Sequence, residues 1–313
     1  MKILSETEII SNWKQEFPLV SIVCITYNHE QFIRNTLLGF FSQITNFSFE
    51  VVVYDDASTD NNQKIIQEFI DLYPNIINPL LQNENQWLGK GVNGTLKYAY
   101  PAARGKYIAL CEGDDYWTDP YKLQKQVDFL EANPDYGICA HVAKTENEIN
   151  LNKIDDFPNI IGNHVFSIKD YINNNLTATA SLVFRSDFYK HEPWHNQSPF
   201  GDLLLVLSIL KNTNKKMFVF KDVMSVYRIH NGGIHGSLTQ DKKSLVKAYK
   251  QHIKFTNLVS KYLFKNQYRN ELILKKLNTY KIIFNLLGYR NSFFNKLSTI
   301  IMIYIYKFKS KSL

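Results

Sequence analysis

The sequence predicts an α/β domain with a mostly parallel sheet flanked by helices, followed by a basic helical extension. Short apolar, β-branched runs alternate with segments of helical periodicity, which is typical of parallel strands buried on both faces. A change of charge near residue 241 marks the extension. The chain has 313 residues, 45% of them hydrophobic and 14% aromatic, so it can bury a core large enough for both parts.

The first β-α-β unit is predicted over residues 19–54. The runs LVSIVCI (19–25) and FEVVVY (49–54) indicate strands. Between them the residues at helical spacing are Phe32, Thr36, Leu37, Phe40 and Phe41.

The same alternation continues along the chain. Apolar residues at helical spacing follow the second strand and stop at Pro74, and another helix is predicted to begin with Asp119 as cap and Pro120 at its first position. A further helix is expected to run through residues 96–103. Strands are predicted at 76–81, 107–111, 136–143, 180–185, 217–220 and 223–229.

The charge is divided unevenly along the chain. Residues 242–313 hold 16 of the 36 Lys and Arg but only one acid, Glu271, a balance of +15, which leaves −8 on residues 1–241. Apolar residues in the basic part recur at steps of three and four, which predicts amphipathic helices. We therefore predict two regions, 1–241 and 242–313.

The three cysteines and the N-terminus bear on the compartment. Cys24, Cys111 and Cys139 lie in apolar runs without CxxC spacing, so buried thiols in a reducing compartment are expected. The first residues lack the apolar core of a signal peptide, and no run reaches the length of a membrane span. A cytoplasmic protein is expected.

Polar residues follow three of the predicted strands. YN (27–28), DDASTD (55–60) and EGDD (112–115) would converge at one edge of the sheet, where α/β domains bind ligands. Taken singly, the first two are also explained by helix capping, and the third by an exposed turn.

The EGDD segment is the most informative, because it places Glu112, Asp114 and Asp115 within four positions. Two like charges about 4 Å apart repel by roughly 4 kcal/mol at an effective dielectric near 20, so the cluster needs water, protonation or a cation. Mg²⁺ and Mn²⁺ prefer such oxygen ligands and are often shared with substrate phosphates. An open metal site for a nucleotide diphosphate is therefore predicted.

Three ordered motifs resemble those of the family 2 glycosyltransferases, which are inverting enzymes of the GT-A fold. They are P-x-V-S-I-x-x-x-x-Y-N (18–28), V-x-x-D-D-x-S-x-D (52–60) and A-R-G-K-Y-I-A-L-x-E-G-D-D-Y-W (103–117). The resemblance covers about residues 17–235. It implies a Rossmann-like catalytic domain over 1–241, with nucleotide-sugar binding in about 17–118 and the acceptor side in about 119–241.

The resemblance also implies roles for individual residues. Asp56 would bond the nucleobase and favour uracil, beside Tyr27 and Asn28. Asp114 and Asp115 would be the DxD-like pair that binds ribose and Mn²⁺ or Mg²⁺, with Asp115 the direct ligand. Glu112 stands where the family often has Asp, and its role is left open.

Two downstream segments complete the predicted site. FGDLLLVLSIL (200–210) resembles the family segment that carries the catalytic base, which makes Asp202 the candidate, although a plain helix cap would also explain it. YRIHNGG (227–233) places Arg228 and His230 where a loop would close over the donor diphosphate, or would be a surface turn. The implied reaction is a single inverting displacement from a UDP-sugar to a hydroxyl of a glycan or lipid-linked acceptor.

Other functions remain open on the sequence. GKGVNG (89–94) matches the G-x-G-x-x-G fingerprint of NAD-dependent oxidoreductases, but it follows polar residues rather than a strand. A non-catalytic protein that binds nucleotide sugars or a membrane is a further alternative. Nucleic-acid binding is not expected, since residues 1–241 are negative.

The last segment, 292–313, has an apolar face bordered by lysines and is too short to span a bilayer. It suits an anionic membrane surface as well as it suits packing on the catalytic domain or on a second subunit in a homodimer. A peripheral position at the inner face of the cytoplasmic membrane is thus one expectation for the chain.

Overall fold

The computed structural model describes residues 3–148, 155–233, 241–265 and 267–287. A ten-stranded sheet forms its centre, with the order β3-β2-β1-β4-β9-β6-β10-β5, while β7 pairs with β6 and β8 with β10. The strands are β1 Val20–Thr26, β2 Phe49–Asp55, β3 Ile77–Leu81, β4 Tyr107–Leu110, β5 Tyr116–Trp117, β6 Ile138–Asn147, β7 Asp156–Phe157, β8 His164–Ser167, β9 Val183–Arg185 and β10 Lys216–Ile229.

Helices cover both faces of this sheet. They are α1 Glu6–Ser11, α2 Ile33–Phe41, α3 Asn62–Leu72, α4 Gln86–Lys90, α5 Tyr100–Ala102, α6 Lys122–Ala132, α7 Ile168–Asn173, α8 Gly201–Asn212, α9 Lys242–Leu258 and α10 Arg269–Leu286. Thr95–Ala99 and Val259–Phe264 form π-helical turns.

The predicted fold class is confirmed. Strands β3, β2, β1 and β4 are mutually parallel, as the strand-helix-strand alternation requires. In this arrangement Thr26, at the end of β1, is paired with Asp55, at the end of β2. The carboxyl ends of these strands therefore open onto one edge, where the polar segments meet.

The structure corrects two details of the prediction. Residues 217–220 and 223–229 belong to one strand, β10, because register shifts near Val223 absorb the polar residues between them. Helix α6 begins at Lys122, not at Pro120, and the Asp119 carboxylate accepts the Tyr121 N–H at 2.8 Å.

The core has two layers, one on each face of the sheet. The layer under α8 also contains Phe255, Val259 and Phe264 from the basic segment, each 1% exposed. The helices after residue 241 thus share a core with the sheet over the described part of 242–287. The functional boundary near residue 241 stays a prediction.

The remaining expectations concern the cysteines and the membrane. Cys24, Cys111 and Cys139 are free and buried, as predicted. Residues 292–313 lie outside the described residues, so their membrane or dimer role stays a prediction. Within the part of the chain that is described, no helix is both long enough and apolar enough to cross a bilayer.

Candidate active site

A tight turn after β4 carries the acidic cluster. The Gly113 N–H donates to the Ile25 carbonyl at 2.9 Å, which fixes the turn beside β1. A Cβ on Gly113 would lie 2.5 Å from Thr26 Oγ1, so only glycine fits there. Thr36 of α2 donates its hydroxyl to the carbonyls of Gly113 and Asp115 at 2.9 and 2.5 Å. Strand and helix together set the direction of the carboxylates.

The three carboxylates of this turn lie together. One oxygen each of Glu112, Asp114 and Asp115 lies within 4.8 Å of the others. Asp115 is fully buried, yet its Oδ2 has no hydrogen-bond partner, and the same holds for Oδ1 of Asp114. Unpartnered buried oxygens are rare and costly. Hard divalent cations take such carboxylate oxygens as ligands, so the residues present fit Mg²⁺ or Mn²⁺.

Repulsion among the three carboxylates affects the pKa values of Asp115 and Glu112. Burial, followed by the charges of Asp114 and Glu112, raises the pKa of Asp115 well above its usual value. Glu112 is partly open to solvent, and desolvation of its carboxylate, with the charges of Asp114 and Asp202, raises its pKa to about 8. The cluster therefore favours a proton or a cation.

Two histidines flank Asp114. His230 Nε2 lies 3.1 Å from Asp114 Oδ2, and His29 Nε2 lies 3.8 Å from the same oxygen. Burial alone would raise the pKa of Asp114, but the hydrogen bond from His230 and the charge of His29 hold that pKa below its usual value. The same bond raises the pKa of His230. Asp114 therefore keeps its negative charge more readily than Glu112 or Asp115.

Arg228 ties β10 to the turn. Its backbone N–H donates to Asp115 Oδ1 at 2.9 Å, and its guanidinium donates to the Asp114 carbonyl at 2.7 Å. The guanidinium lies between the rings of Phe32 and Tyr116, at 5.2 and 4.3 Å from their centroids. In this structure Arg228 orients both aspartates.

The ends of β1 and β2 are joined by side chains. Asn28 has a left-handed backbone conformation (φ 56°). Its side-chain carbonyl accepts the backbone N–H of Thr59 at 2.7 Å, and its own backbone N–H donates to Ser58 Oγ at 2.8 Å. Asn28 is thus a link between loops, not a helix cap. Asp60 accepts the N–H of Asn62, the first residue of α3, at 3.0 Å.

Asp56 holds a short helix in place. Its carboxylate accepts hydrogen bonds from the Tyr54 hydroxyl at 2.8 Å and from the N–H groups of Gln86 and Trp87 at 2.9 and 3.1 Å. The Tyr54 ring stacks on Tyr98 at 5.8 Å, and Trp87 is 56% exposed. Aromatic surface therefore surrounds the carboxylate that the resemblance assigns to the nucleobase.

Asp202 lies in the first turn of α8, as its second residue, and is not the helix cap. Asn175 Nδ2 donates to Asp202 Oδ2 at 3.1 Å. Burial raises the pKa of Asp202, and its charge in turn raises the pKa of Glu112. A carboxylate with a raised pKa is a stronger base, and the charge of this one acts on Glu112 of the acidic cluster.

Tyr227 is a site residue that the sequence prediction missed. Burial and the charges of Asp115, Glu112, Asp114 and Asp202, in that order, raise the pKa of its phenol. The hydroxyl therefore stays protonated and can donate a hydrogen bond among the four carboxylates. No sequence motif marks this position, which lies next to Arg228 on β10, and the Arg228 backbone is bonded to Asp115.

The predicted site residues fall into groups. Asp114, Asp115, Arg228 and His230 are in direct contact, and the charge of Asp202 acts on Glu112 beside them. Asn28 and Asp56 lie at the neighbouring ends of β1 and β2, and Tyr27 precedes Asn28. Their roles in donor binding stay predictions.

The GKGVNG segment does not have the context of a dinucleotide fingerprint. Its first two residues are the last two of helix α4, and Gly91 ends that helix with φ 63°, so the segment does not follow a strand. A π-helical turn begins directly after it, at Thr95. The phosphate-binding strand-turn-helix that the fingerprint requires is therefore not formed here.

With this geometry in view, the chain was compared with known proteins. The family model described as Glycosyl transferase family 2 matches residues 21–191, which include β1, β2, the acidic turn and β9. The chain belongs to this family. The match covers the second and third motifs on which the resemblance was based, and the first motif from Ser21 onward.

Similar sequences agree with this assignment. An uncharacterized protein of Mycobacterium tuberculosis is 36% identical over 226 residues, 72% of this chain and 62% of the relative. The chain thus matches less than two thirds of that relative's length. A putative teichuronic acid biosynthesis glycosyltransferase of Bacillus subtilis is 23% identical over 86% of this chain and all of the relative. The UDP-Glc:alpha-D-GlcNAc-diphosphoundecaprenol beta-1,3-glucosyltransferase of Escherichia coli is 34% identical over 36% of this chain and 41% of the relative.

Solved structures share the fold. The mannosyltransferase of Pyrobaculum calidifontis in complex with GDP-Man and Mn²⁺ covers 93% of this chain and 81% of its own, at a TM-score of 0.56 and 17% identity. TarS of S. aureus in complex with UDP-GlcNAc covers 85% of this chain and 81% of its own, at a TM-score of 0.54 and 17% identity. These likenesses confirm a GT-A glycosyltransferase fold.

Proposed function

We propose that the chain is an inverting glycosyltransferase that moves a sugar from a UDP-sugar to a hydroxyl of a glycan or lipid-linked acceptor. One observation carries the proposal: two buried aspartate oxygens without partners face Glu112, and a separate carboxylate, Asp202, lies within electrostatic reach of it. The first group suits a cation with a diphosphate, and the second suits a base. The Escherichia coli relative, by its name, uses UDP-glucose and a diphosphate-linked lipid, which supports this donor and acceptor.

Each of these residues would have a separate role in the reaction. Asp114 and Asp115 would hold Mn²⁺ or Mg²⁺, which supplies positive charge to the departing diphosphate. His230, whose pKa is raised by its bond to Asp114, would donate a hydrogen bond to the same phosphates. Asp202 would accept the proton of the attacking hydroxyl. Asp56 and Tyr27 would contact the nucleobase.

The proton acceptor gives the sharpest test. Asp202→Asn is expected to lower turnover of a UDP-sugar in the presence of Mn²⁺ by about 10²–10⁴-fold, because the base is lost while the nucleotide site is intact. Release of UDP and its binding affinity would be measured across a panel of UDP-sugars. Asp187→Asn, an exposed acid between β9 and α8, is the matched control and should retain parental turnover. Full activity of Asp202→Asn would refute the assigned base.

A further inference from the structure

A basic groove lies beside the acceptor side of the molecule. It has a volume of about 460 Å³ and is formed by α9, the π-helical turn after it, and the segment before α8. Its polar lining consists of Lys250, Lys254 and Lys261 with Gln197, Asn257 and Tyr262. Ile253 and Leu258 add apolar surface between the lysines.

The three lysines are arranged as an unneutralised row. Lys250 and Lys254 are one helical turn apart, and Lys261 follows seven residues later, all exposed. Helix α9 contains no Asp or Glu, and none of the three lysines has an ion pair among the described residues. Like charges at this spacing repel, so the arrangement costs free energy unless an anion binds. The groove therefore fits an anionic group between apolar surfaces.

The groove is held close to the proposed base. Trp194 stacks on Tyr262 with centroids 5.4 Å apart, and Phe200 stacks on His252 at 4.3 Å. These contacts fix the segment before α8 against α9. Gln197 in the groove precedes Asp202 by five residues, so their Cα atoms are at most about 18 Å apart.

We propose that this groove binds the diphosphate group of a lipid-linked acceptor, with the first carbons of the lipid against Ile253 and Leu258. The inference rests on the proposed function and adds the site that recognises the acceptor. The donor's phosphates have a different environment, three carboxylates that require a cation. Three lysines without a nearby acid bind a diphosphate with no metal. The acceptor's sugar would then extend from the groove toward Asp202.

The full-length protein and three variants test the proposal. The groove triple variant removes the whole row and is Lys250→Gln/Lys254→Gln/Lys261→Gln. A single variant, Lys254→Gln, removes only the central lysine. The control triple variant removes the same charge from exposed positions outside the groove and is Lys242→Gln/Lys243→Gln/Lys281→Gln. Farnesyl diphosphate serves as a soluble lipid diphosphate in titration calorimetry. We expect the groove triple variant to bind it at least about tenfold more weakly, a difference that calorimetry resolves, and the control triple variant to match the parent. Thermal melts establish that each variant is folded.

Further binding measurements distinguish a lipid diphosphate from free phosphate and from a membrane surface. Inorganic pyrophosphate should bind more weakly than farnesyl diphosphate, and equal affinity would overturn the lipid assignment. Binding to phosphatidylcholine/phosphatidylglycerol vesicles that depends on the three lysines and is not displaced by farnesyl diphosphate would make the groove a membrane surface instead. If farnesyl diphosphate binding were weakened equally in both triple variants, the proposed site would also be overturned. UDP-sugar turnover by the parent without any binding of farnesyl diphosphate would reject the groove alone, whereas binding of farnesyl diphosphate without turnover would reject the proposed function.

Discussion

At the scale of single residues, the two carboxylate oxygens of Asp115 have different environments. Oδ1 accepts the backbone N–H of Arg228 and so belongs to the fold, while Oδ2 is buried without a partner. Removing the whole carboxylate would leave the N–H of Arg228 unpaired, which costs free energy of its own. A substitution that tests metal binding must therefore keep an acceptor at Oδ1.

Asp115→Asn meets this condition. We expect its melting temperature without metal to equal or exceed that of the parent, because repulsion from Asp114 and Glu112 is relieved. The stabilisation by UDP with Mn²⁺ should be lost. Asp115→Ala, in contrast, should melt lower than Asp115→Asn. Thermal melts with and without Mn²⁺ and UDP measure both effects, and a full metal-dependent shift in Asp115→Asn would disprove metal ligation by Asp115.

Lys122 is a second unusual residue. It is 0% exposed, its Nζ has no hydrogen-bond partner and lies 4.0 Å from the centroid of the Trp117 ring. Burial lowers its pKa from 10.5 to about 7, so the folded state binds fewer protons than the unfolded state between these pH values. The penalty for burying the charge is complete below about pH 7 and disappears as pH rises toward 10.5.

Lys122→Met should therefore be more stable than the parent at pH 7, and the difference should shrink by roughly 2 kcal/mol at pH 9. Urea unfolding at the two pH values gives the free energies of unfolding. Lys64→Met, at an exposed position, should show no such change. A difference that is independent of pH would mean that Lys122 keeps its proton in the folded protein at both pH values, which would contradict the lowered pKa.

At the scale of elements, the site depends on how closely its turn approaches β1. The turn at 112–115 has no space for a side chain at Gly113, because Thr26 Oγ1 and Cβ would be 2.5 and 2.6 Å from a new Cβ. A shift of this turn moves all three carboxylates together. The position of the acidic cluster is thus set by backbone packing.

Gly113→Ala should destabilise the protein by about 1–3 kcal/mol through overpacking, and should lower UDP-sugar turnover by displacing the carboxylates. Gly201→Ala is the matched control, since nothing lies within 4 Å of its added Cβ and the site is beside Asp202. It should keep parental stability and turnover. Urea unfolding and UDP release measure the two quantities, and normal values for Gly113→Ala would contradict the close packing described here.

The elements also show how far the sequence could predict the site. The runs 19–25, 49–54 and 107–111 placed β1, β2 and β4 correctly, because burial on both faces leaves a pattern in the local sequence. Contacts between distant segments leave no such pattern. The bonds from Asp56 to α4 and from Arg228 to Asp115, and the place of Tyr227 among four carboxylates, depend on tertiary packing and had to be seen in the structure.

At the scale of the whole molecule, two electrostatically opposite regions share one core. Residues 1–241 have a net charge of −8 and residues 242–313 a net charge of +15. Over the described part of the chain, the two regions nevertheless do not have separate hydrophobic cores. Phe255 on α9 packs edge to face on Phe200, at 5.7 Å between centroids, and is 1% exposed. The basic helices therefore contribute to the stability of the sheet.

Phe255→Ala should lower the free energy of unfolding by about 3–5 kcal/mol in a single cooperative transition, since it opens a cavity in the common core. Tyr280→Ala on α10, where the side chain is 41% exposed, should change it by less than about 0.5 kcal/mol. Urea unfolding followed by circular dichroism and by tryptophan fluorescence would measure both. Two separate transitions in the Phe255→Ala protein would indicate independent folding of the basic segment.

The hydrogen bond between Arg228 and Asp115 has a consequence for the order of folding events. It joins residues 113 positions apart, so a long loop must close before it forms. Contacts of this kind form slowly compared with the local turn after β4. A nascent chain that ends before β10 has all three carboxylates but lacks the donor that fixes Asp115. The divalent-cation affinity proposed for these carboxylates should thus arise in refolding together with the docking of β10, in one of the last kinetic phases.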